Sequence, residues 1–172
     1  MCTISHASQA MKPLQWALKG HSIFATALLL VIEGVLILLI PNQMFDQYGV
    51  ILVALVGGAG IIIVAMEAIE EVKNPRHMLL LLSAVVFEFI TFFAFQYWYF
   101  SLAMPGTFQG LTLDPVTLLL HSTMVFAFNP LYLSSNVSGR ALMLINTLES
   151  MALVIFVLQN VWQFRTAKQN TP

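Results

Sequence analysis

The sequence predicts an all-α polytopic membrane protein with four transmembrane helices and a short re-entrant helix between the third and the fourth. Three observations predict this class. First, 59% of the 172 residues are hydrophobic and 9% are charged, whereas soluble domains carry about a quarter charged residues. Second, the hydrophobic residues form runs long enough to cross a bilayer. Third, one further apolar run is too short to cross comfortably and is followed by Asn129 and Pro130, a pair that breaks a helix.

The chain begins with a predicted cytoplasmic segment, residues 1–20, of which 11–20 form an amphipathic stretch suited to the membrane surface. The first predicted span covers His21 to Ile40. About twenty apolar residues, each rising about 1.5 Å, match a hydrocarbon layer of about 30 Å. The pair after this span, Pro and Asn, is expected to end the helix.

The second predicted span runs from Val50 to about Ile69. Glycines in the middle of a membrane helix let a neighbouring helix approach closely. Three glycines are expected to do so here: Gly57, Gly58 and Gly60. The first two spans together form a predicted two-helix hairpin, residues 21–77, that is auxiliary to the rest of the chain.

The third predicted span runs from Met78 to about Leu102 and ends in aromatic residues, which suit the interface between membrane and water. The short apolar run, Pro115 to Phe128, comes next. The last predicted span runs from Val137 to about Phe164. Between the last two spans, residues 115–136 form the predicted re-entrant loop, because backbone that dips into a membrane and returns is tolerated where protein or water surrounds it.

The positive charges predict the orientation. Six of the seven Lys and Arg residues lie in the N-terminal segment, in the turn 70–77 or in the tail 165–172, and Arg140 is the exception. Because Lys and Arg accumulate on the cytoplasmic side, both termini are expected in the cytoplasm. Four spans satisfy this orientation, so the short apolar run must enter and leave on the outer side. The protein is expected in a cell membrane, either a plasma membrane or a bacterial inner membrane.

Over residues 78–164, the order of helix, re-entrant loop and helix resembles the two-helix pore module of the tetrameric cation channels, the potassium-channel-like superfamily. The sharpest piece of the resemblance is Gly139-Arg140, because a Gly-Arg pair opens the inner helix of that family shortly after the filter. The family's filter glycines are absent here, and the Asn-Pro pair is more similar to the filter of the endolysosomal two-pore cation channels. The resemblance implies a homotetramer in the lipid bilayer that passively conducts monovalent cations.

Counting back from the Gly-Arg pair places five residues over the filter: Phe126, Ala127, Phe128, Asn129 and Pro130. The resemblance implies a narrow ring of four Asn129 amides with the carbonyls of Phe126 and Ala127 beneath it. Glycine filters rely on backbone that alternates in handedness, and Phe128 and Asn129 are not expected to adopt such backbone without cost. No Asp or Glu lies between residues 115 and 148, which argues against a calcium-selective ring of carboxylates.

The last predicted span carries a polar patch. The resemblance places Ser150 over the hinge glycine of the inner helix. The residues expected to line a cavity below the filter are Asn146, Glu149, Ser150, Met151 and Val154. The alternative is that the polar members of this set make ordinary hydrogen bonds between helices.

Three further acids, Glu33, Glu67 and Glu88, lie inside the predicted spans. Carboxylates are costly in hydrocarbon, so they are expected to face the bundle interior or a water-filled path. The alternative is a neutral glutamate that stabilises helix packing. His121 is a candidate for gating the loop, because histidine titrates near neutral pH. The alternative is that His121 forms hydrogen bonds within the packing around the short helix.

Other functions are disfavoured by what the sequence lacks. It has a single cysteine, so no disulfide framework is expected. None of the intramembrane glutamates is followed by the histidine, three residues on, that carboxylate-bridged metal sites use, so neither a metal nor a cofactor is expected. There is no basic cluster for nucleic acid and no nucleotide or hydrolase motif, so no enzyme is expected. The alternative to a channel is a small four-helix membrane protein that serves as a structural or accessory subunit of another membrane complex.

Overall fold

The computed structural model covers the chain from the second predicted span onward. The described residues are 43–70 and 75–169, with Val31 and Val35 as isolated helical positions, and the side chains described are those of 47–69 and 76–162 with Val31 and Val35. The N-terminal segment, nearly all of the first predicted span and the end of the tail lie outside the described residues.

The described part of the chain is all-helical. Its four helices, labelled in chain order, are α1 Gln43–Glu70, α2 Pro75–Ala103, α3 Pro115–Phe126 and α4 Val137–Gln169. Three of them contain a stretch long and apolar enough to cross a membrane, namely Gln47–Ile69, Arg76–Ala103 and Val137–Trp162. With 12 residues, α3 is too short to cross. The predicted fold class, an all-α membrane protein, is confirmed to this extent.

The centre of the bundle is α2, which packs against α1, α3 and α4, while α4 also packs against α1 and α3. The core is rich in aromatic side chains of α2, and the largest buried ones are Phe89, Phe92, Phe93, Tyr97 and Phe100. Their rings meet at an angle, with centroids 4.9 Å apart for Phe89 and Phe93 and 5.3 Å apart for Phe92 and Phe93. Tilted and edge-to-face pairs are the favoured arrangements of aromatic rings.

Two glycines of α1 allow this close packing. A Cβ atom added at Gly57 would collide with the ring of Phe92, and one added at Gly58 would collide with the carboxyl group of Glu149. The predicted role in close helix approach is confirmed for these two glycines. Gly60 has no described atom within 4 Å of such a Cβ position, so it does not serve this role among the described residues.

Local sequence accounts for the start of α3. The side chain of Asp114 accepts a hydrogen bond from the Thr117 amide at 2.9 Å and another from the Thr112 hydroxyl, and Pro115 occupies the first turn. An Asp at this position satisfies a free amide of the helix, and a proline there loses no helical hydrogen bond. The hydrogen bonds from Thr112 and then Thr117 lower the pKa of Asp114 to about 2.

From this start, α3 runs back along α2. Pro115 shares a groove with Trp98 near the end of α2. Further along, the Ser122 hydroxyl donates to the carbonyl of Ile90 at 2.8 Å, and the ring of Phe126 lies 6.0 Å from that of Phe89. Since Phe89 is at the middle of the apolar stretch Arg76–Ala103, α3 ends level with the middle of α2.

The chain then returns to the level at which α2 ended. Phe108, in the loop after α2, and Ser134, in the segment before α4, form an antiparallel bridge. The Ser135 amide donates to the carbonyl of Thr107 at 2.8 Å. The Asn136 side chain donates to the Thr107 hydroxyl at 3.0 Å. These contacts fasten the start of α4 to the end of α2.

The Gly139-Arg140 pair belongs to the same junction. The Gly139 amide donates to the Asn136 side chain at 2.7 Å, which caps α4. A Cβ atom at Gly139 would collide with Ser134 and Thr107, and the Arg140 side chain donates to the Ser134 carbonyl at 3.3 Å. The pair therefore has a structural role of its own, in joining the two segments.

Candidate functional site

The five residues predicted for the filter form the turn that ends α3. Phe126 and Pro130 are half-buried, and the three residues between them are exposed. The exposed fraction of Phe128 is 50% and that of Leu131 is 45%. This turn is therefore a surface of the single chain, with apolar side chains and one amide side chain, that of Asn129.

The backbone of the turn is that of a helix cap. The Phe128 amide donates to the Val125 carbonyl at 2.9 Å, and the Asn129 amide donates to the Met124 carbonyl at 2.8 Å. This pair of bonds is the Schellman motif, which places its key residue in left-handed backbone and usually has glycine there. Phe128 holds that position with φ of 62°, and among the described residues it is the only one other than glycine with positive φ. The cost expected for Phe128 is thus incurred in a helix cap.

The carbonyl groups beyond the cap have no hydrogen-bond partner in the part of the chain that the structure describes. No hydrogen bond among the described residues reaches the carbonyl oxygens of residues 127–132. Next along the chain, the carbonyl of Leu133 accepts from the Gln109 amide at 3.3 Å, in the junction with the loop after α2. Residues 127–132 are exposed or half-buried in the single chain, so these six successive carbonyls are open to water, an ion or another chain.

The polar patch of α4 faces the interior of its own bundle. Asn146 and Ser150 are fully buried. The Asn146 side chain donates to the Tyr97 hydroxyl at 3.1 Å, and the Ser150 hydroxyl donates to the Asn146 carbonyl at 2.6 Å. Of the two hypotheses for this patch, the geometry matches hydrogen bonding between helices.

The other residues predicted for the cavity lie in different surroundings. Glu149 is buried against α1, where its carboxyl group occupies the space left by Gly58. Val154 is half-buried, and Met151 is exposed with an exposed fraction of 47%. Met151 shares its exposed face of α4 with other large apolar side chains: Leu144, Leu148, Ile155 and Leu158. The predicted cavity residues are therefore not on one surface of the single chain.

His121 is fully buried in a cage of aromatic rings. The centroid of its ring lies 4.6 Å from that of Tyr97, 5.4 Å from that of Tyr132 and 5.8 Å from that of Phe108. Neither ring nitrogen has a hydrogen-bond partner among the described residues. Burial lowers the pKa of His121 to about 4, because an enclosed apolar site disfavours the charged ring. The hydrogen bonds expected for His121 are not found within the described part.

The remaining acids are less enclosed. Glu67 on α1 and Glu88 on α2 are half-buried, and Glu33 lies outside the described residues. Among the described residues, no group of three or more His, Cys, Asp or Glu side chains could hold a metal ion.

Tyr97 is a site residue that was not predicted. The aromatic residues at the end of α2 were expected at the membrane interface, yet Tyr97 is fully buried and joins α2 to both α3 and α4. The sequence did contain one indication that Tyr97 is buried. The aromatic residues Phe89, Phe93, Tyr97 and Phe100 recur at spacings of four, four and three residues, which is the spacing of one helix face.

Comparisons with known proteins add no assignment. No known protein family, curated protein sequence or solved structure matches the chain.

Proposed function

We propose that the protein is a cation-channel-like membrane protein that conducts monovalent cations passively through a homotetrameric pore. In this proposal the turn after α3, with Asn129 and Pro130, forms the filter. The single observation that carries the proposal is the row of carbonyl groups in residues 127–132 that no described residue hydrogen-bonds, in a segment that begins level with the middle of α2.

The depth of the turn in the membrane restricts what can surround it. Since α2 is long enough to cross a membrane, its middle lies near the centre of the hydrocarbon layer. The contact between Phe126 and Phe89 brings the end of α3 to that level. Lipid cannot form hydrogen bonds with a peptide carbonyl, so irregular backbone at this depth must be enclosed by protein or line a water-filled path. This supports the re-entrant character of α3.

The need for further copies of the chain follows from exposure. The turn is exposed in the single chain, and the exposed fraction of Phe128 is 50%. A ring of identical chains around one axis would cover the apolar side chains and turn the carbonyl groups toward a shared path. Rings of backbone carbonyls are what selective cation pores use in place of water. A ring of four is what the resemblance to tetrameric cation channels implies.

The path beyond the filter would be lined by the exposed face of α4. That face carries Met151 and Leu148, whereas Asn146 and Ser150 point into the bundle. The cavity would therefore be largely apolar, and hydrophobic constrictions can gate a pore by losing their water. Both termini are proposed to be cytoplasmic, since most Lys and Arg residues lie on that side of the predicted topology.

The test is flux through the purified protein in liposomes. Wild type is expected to carry K⁺ or Na⁺ across the membrane, and Asn129→Ala is expected to lower that flux at least tenfold or to alter its ion preference. The matched control is Gln109→Ala, which removes an exposed amide side chain in the outer loop and should leave flux unchanged. Absence of flux at every voltage and pH, together with a monomeric or dimeric mass, would refute the proposal.

The alternative, a structural or accessory subunit of another membrane complex, is favoured by one observation. The polar side chains of α4 are used within the bundle, so the exposed face of that helix is largely apolar and suits another membrane protein. Solubilisation from its native membrane in mild detergent distinguishes the two. A stable assembly with a different protein would support the accessory role, and a homotetramer would exclude it.

A further inference from the structure

Glu149 stands apart from the other acids of the described bundle. It lies at the middle of the apolar stretch Val137–Trp162. Its exposed fraction is 8%, and both carboxyl oxygens are buried without a hydrogen-bond partner among the described residues. Glu67 and Glu88 are only half-buried. A carboxyl group in this position is costly as an ion, and such residues usually have a functional role.

The site is shaped to hold this carboxyl group. Gly58, at the middle of the apolar stretch Gln47–Ile69, leaves open the space that the carboxyl group fills, and the ring of Phe93 closes the same space from α2. Two helices thus present one glycine and one aromatic ring to the acid. A residue that was merely tolerated in a loose bundle would not need a missing side chain opposite it.

The surroundings decide which ligand fits. The groups that face the acid are Gly58 and the backbone amide of Ala59 on α1 and Phe93 on α2, and none carries a charge. On α4 itself, the neighbouring polar groups Asn146 and Ser150 are bonded to each other and to Tyr97. Glu67 lies nine residues from Gly58 and Glu88 five residues from Phe93, about 14 and 8 Å along their helices.

A metal ion would need several ligands, and the described residues hold no group of three candidate ligands. Among the described side chains the basic ones are Arg76 and Arg140, and both lie near the ends of their helices, away from this acid. A proton needs no second ligand and removes the charge. It is the ligand that this enclosed, uncharged space accepts.

We propose that Glu149 is a proton-binding site in the membrane interior, at which the protonated carboxyl group packs against Gly58 and loss of the proton separates α1 from α4. The bond that breaks is the carboxyl O–H bond, and its proton passes to water. The proposal does not depend on ion conduction.

The first test is the infrared spectrum of the protein in lipid vesicles. At about pH 7, wild type is expected to show the carbonyl stretch of a protonated carboxylic acid, shifted in D₂O, and this band is expected to be weaker in Glu149→Gln by the share of one acid. The matched control, Glu88→Gln, should retain the Glu149 contribution. A wild-type spectrum without the band, or a band of the same intensity in Glu149→Gln, would overturn the proposal.

The second test is the dependence of unfolding on pH, which remains informative if one variant folds poorly. The proton is bound in the folded state, so stability is present at low pH and is lost as pH rises. The loss of stability stops above the pH at which the folded protein releases the proton from Glu149. Below that pH, the unfolding equilibrium constant of wild type should rise by up to about tenfold for each unit of pH increase, relative to Glu149→Gln. Parallel curves for the two proteins would overturn the proposal.

Discussion

The inner face of α4 and the turn after α3 are both parts of the predicted pore, and they differ in how their polar groups are used. On α4, Asn146 and Ser150 are fully buried and hydrogen-bonded to Tyr97 and to their own helix. In the turn, the amides of Phe128 and Asn129 cap α3, but the carbonyl groups of residues 127–132 have no partner among the described residues. The polar groups of Asn146 and Ser150 are thus bonded within the described bundle, whereas those carbonyl groups are not.

This difference distinguishes polar groups that stabilise the bundle from polar groups that are available for function. Side chains that are fully hydrogen-bonded inside the bundle are best explained by packing, since an unpaired polar group there would be costly. Backbone carbonyls that lie outside the packed bundle are instead available to water, an ion or another chain, which is the use that the proposed pore makes of them. The five predictions that follow test this contrast, from the largest expected effect to the smallest.

The strongest test of the interior is Gly58→Ala. The added methyl group collides with the Glu149 carboxyl group, and overpacking of this kind typically costs about 1 to 3 kcal/mol. Gly60→Ala is the control, because no described atom lies within 4 Å of its Cβ position. It should gain up to about 1 kcal/mol from helix propensity. Denaturant unfolding in detergent measures both, and equal effects would contradict the close packing of α1 and α4.

Acid is expected to lower the stability of the folded bundle, because it protonates His121. The pKa of His121 is about 4 in the fold and 6.5 without it, so its contribution is fully present above pH 6.5 and falls as the pH drops toward 4. The loss over this window is on the order of 2 kcal/mol. His121→Phe keeps an aromatic ring but cannot bind a proton, so its thermal unfolding should lack this acid-dependent loss. The same loss in both proteins would place the titrating group elsewhere.

The hydrogen bond between Tyr97 and Asn146 can be measured by a double-mutant cycle. Tyr97→Phe and Asn146→Ala should show a coupling energy of about 0.6 to 1.7 kcal/mol, between the average and the largest value found for such bonds in a membrane protein. Thr147→Ala provides the control cycle with Tyr97→Phe, since the Thr147 hydroxyl donates to Met143 on its own helix. A coupling near zero in the first cycle would mean that the patch is free to face another surface.

For the turn, Phe128→Gly should stabilise the chain by about 1 kcal/mol, because glycine adopts left-handed backbone without the steric cost that Phe128 incurs. Ala127→Gly is the control, with φ of −82°, and should be neutral or destabilising. The oligomeric mass of Phe128→Gly sharpens the comparison. A more stable chain that no longer assembles would show that the exposed ring of Phe128 serves a partner, whereas a less stable chain would contradict the strained cap.

The smallest effect is expected at Asp114. The pKa of this exposed carboxyl group is lowered from 3.8 to about 2 by Thr112 and Thr117, so its contribution is present above about pH 4 and is lost as the pH falls toward 2. Asp114→Asn retains a good cap without the charge. The melting temperatures of the two proteins should therefore converge between about pH 5 and about pH 2, and a constant difference would show that the charge has no role.

The helices themselves were largely predictable. Pro115 after Asp114 marks the start of α3 as observed, and the predicted start of α4 at Val137 is the observed one. The span predicted from Met78 to Leu102 corresponds to Arg76–Ala103. Apolar length, proline and capping residues act locally along the chain, and they can therefore be read from it.

The orientation of the side chains was not predictable in the same way. Apolar residues surround α4 on every side, so the sequence does not say which face packs against α1. Asn146 and Met151 were therefore both predicted to line the cavity, yet Asn146 is buried and Met151 is exposed. The left-handed backbone of Phe128 also could not be predicted from the sequence, because that position holds no glycine.

By itself, the sequence determined that the chain contains helical spans long and apolar enough for a membrane, and that a short helix beginning at Pro115 separates two of them. Only the tertiary structure decided that Glu149 packs against Gly58, that His121 is enclosed by rings from three segments, and that no described residue bonds the carbonyl groups just after α3. The physical reason is how far apart in the sequence the interacting residues lie. Helix length and ends depend on neighbouring residues, whereas each of these sites depends on residues brought together from distant parts of the chain.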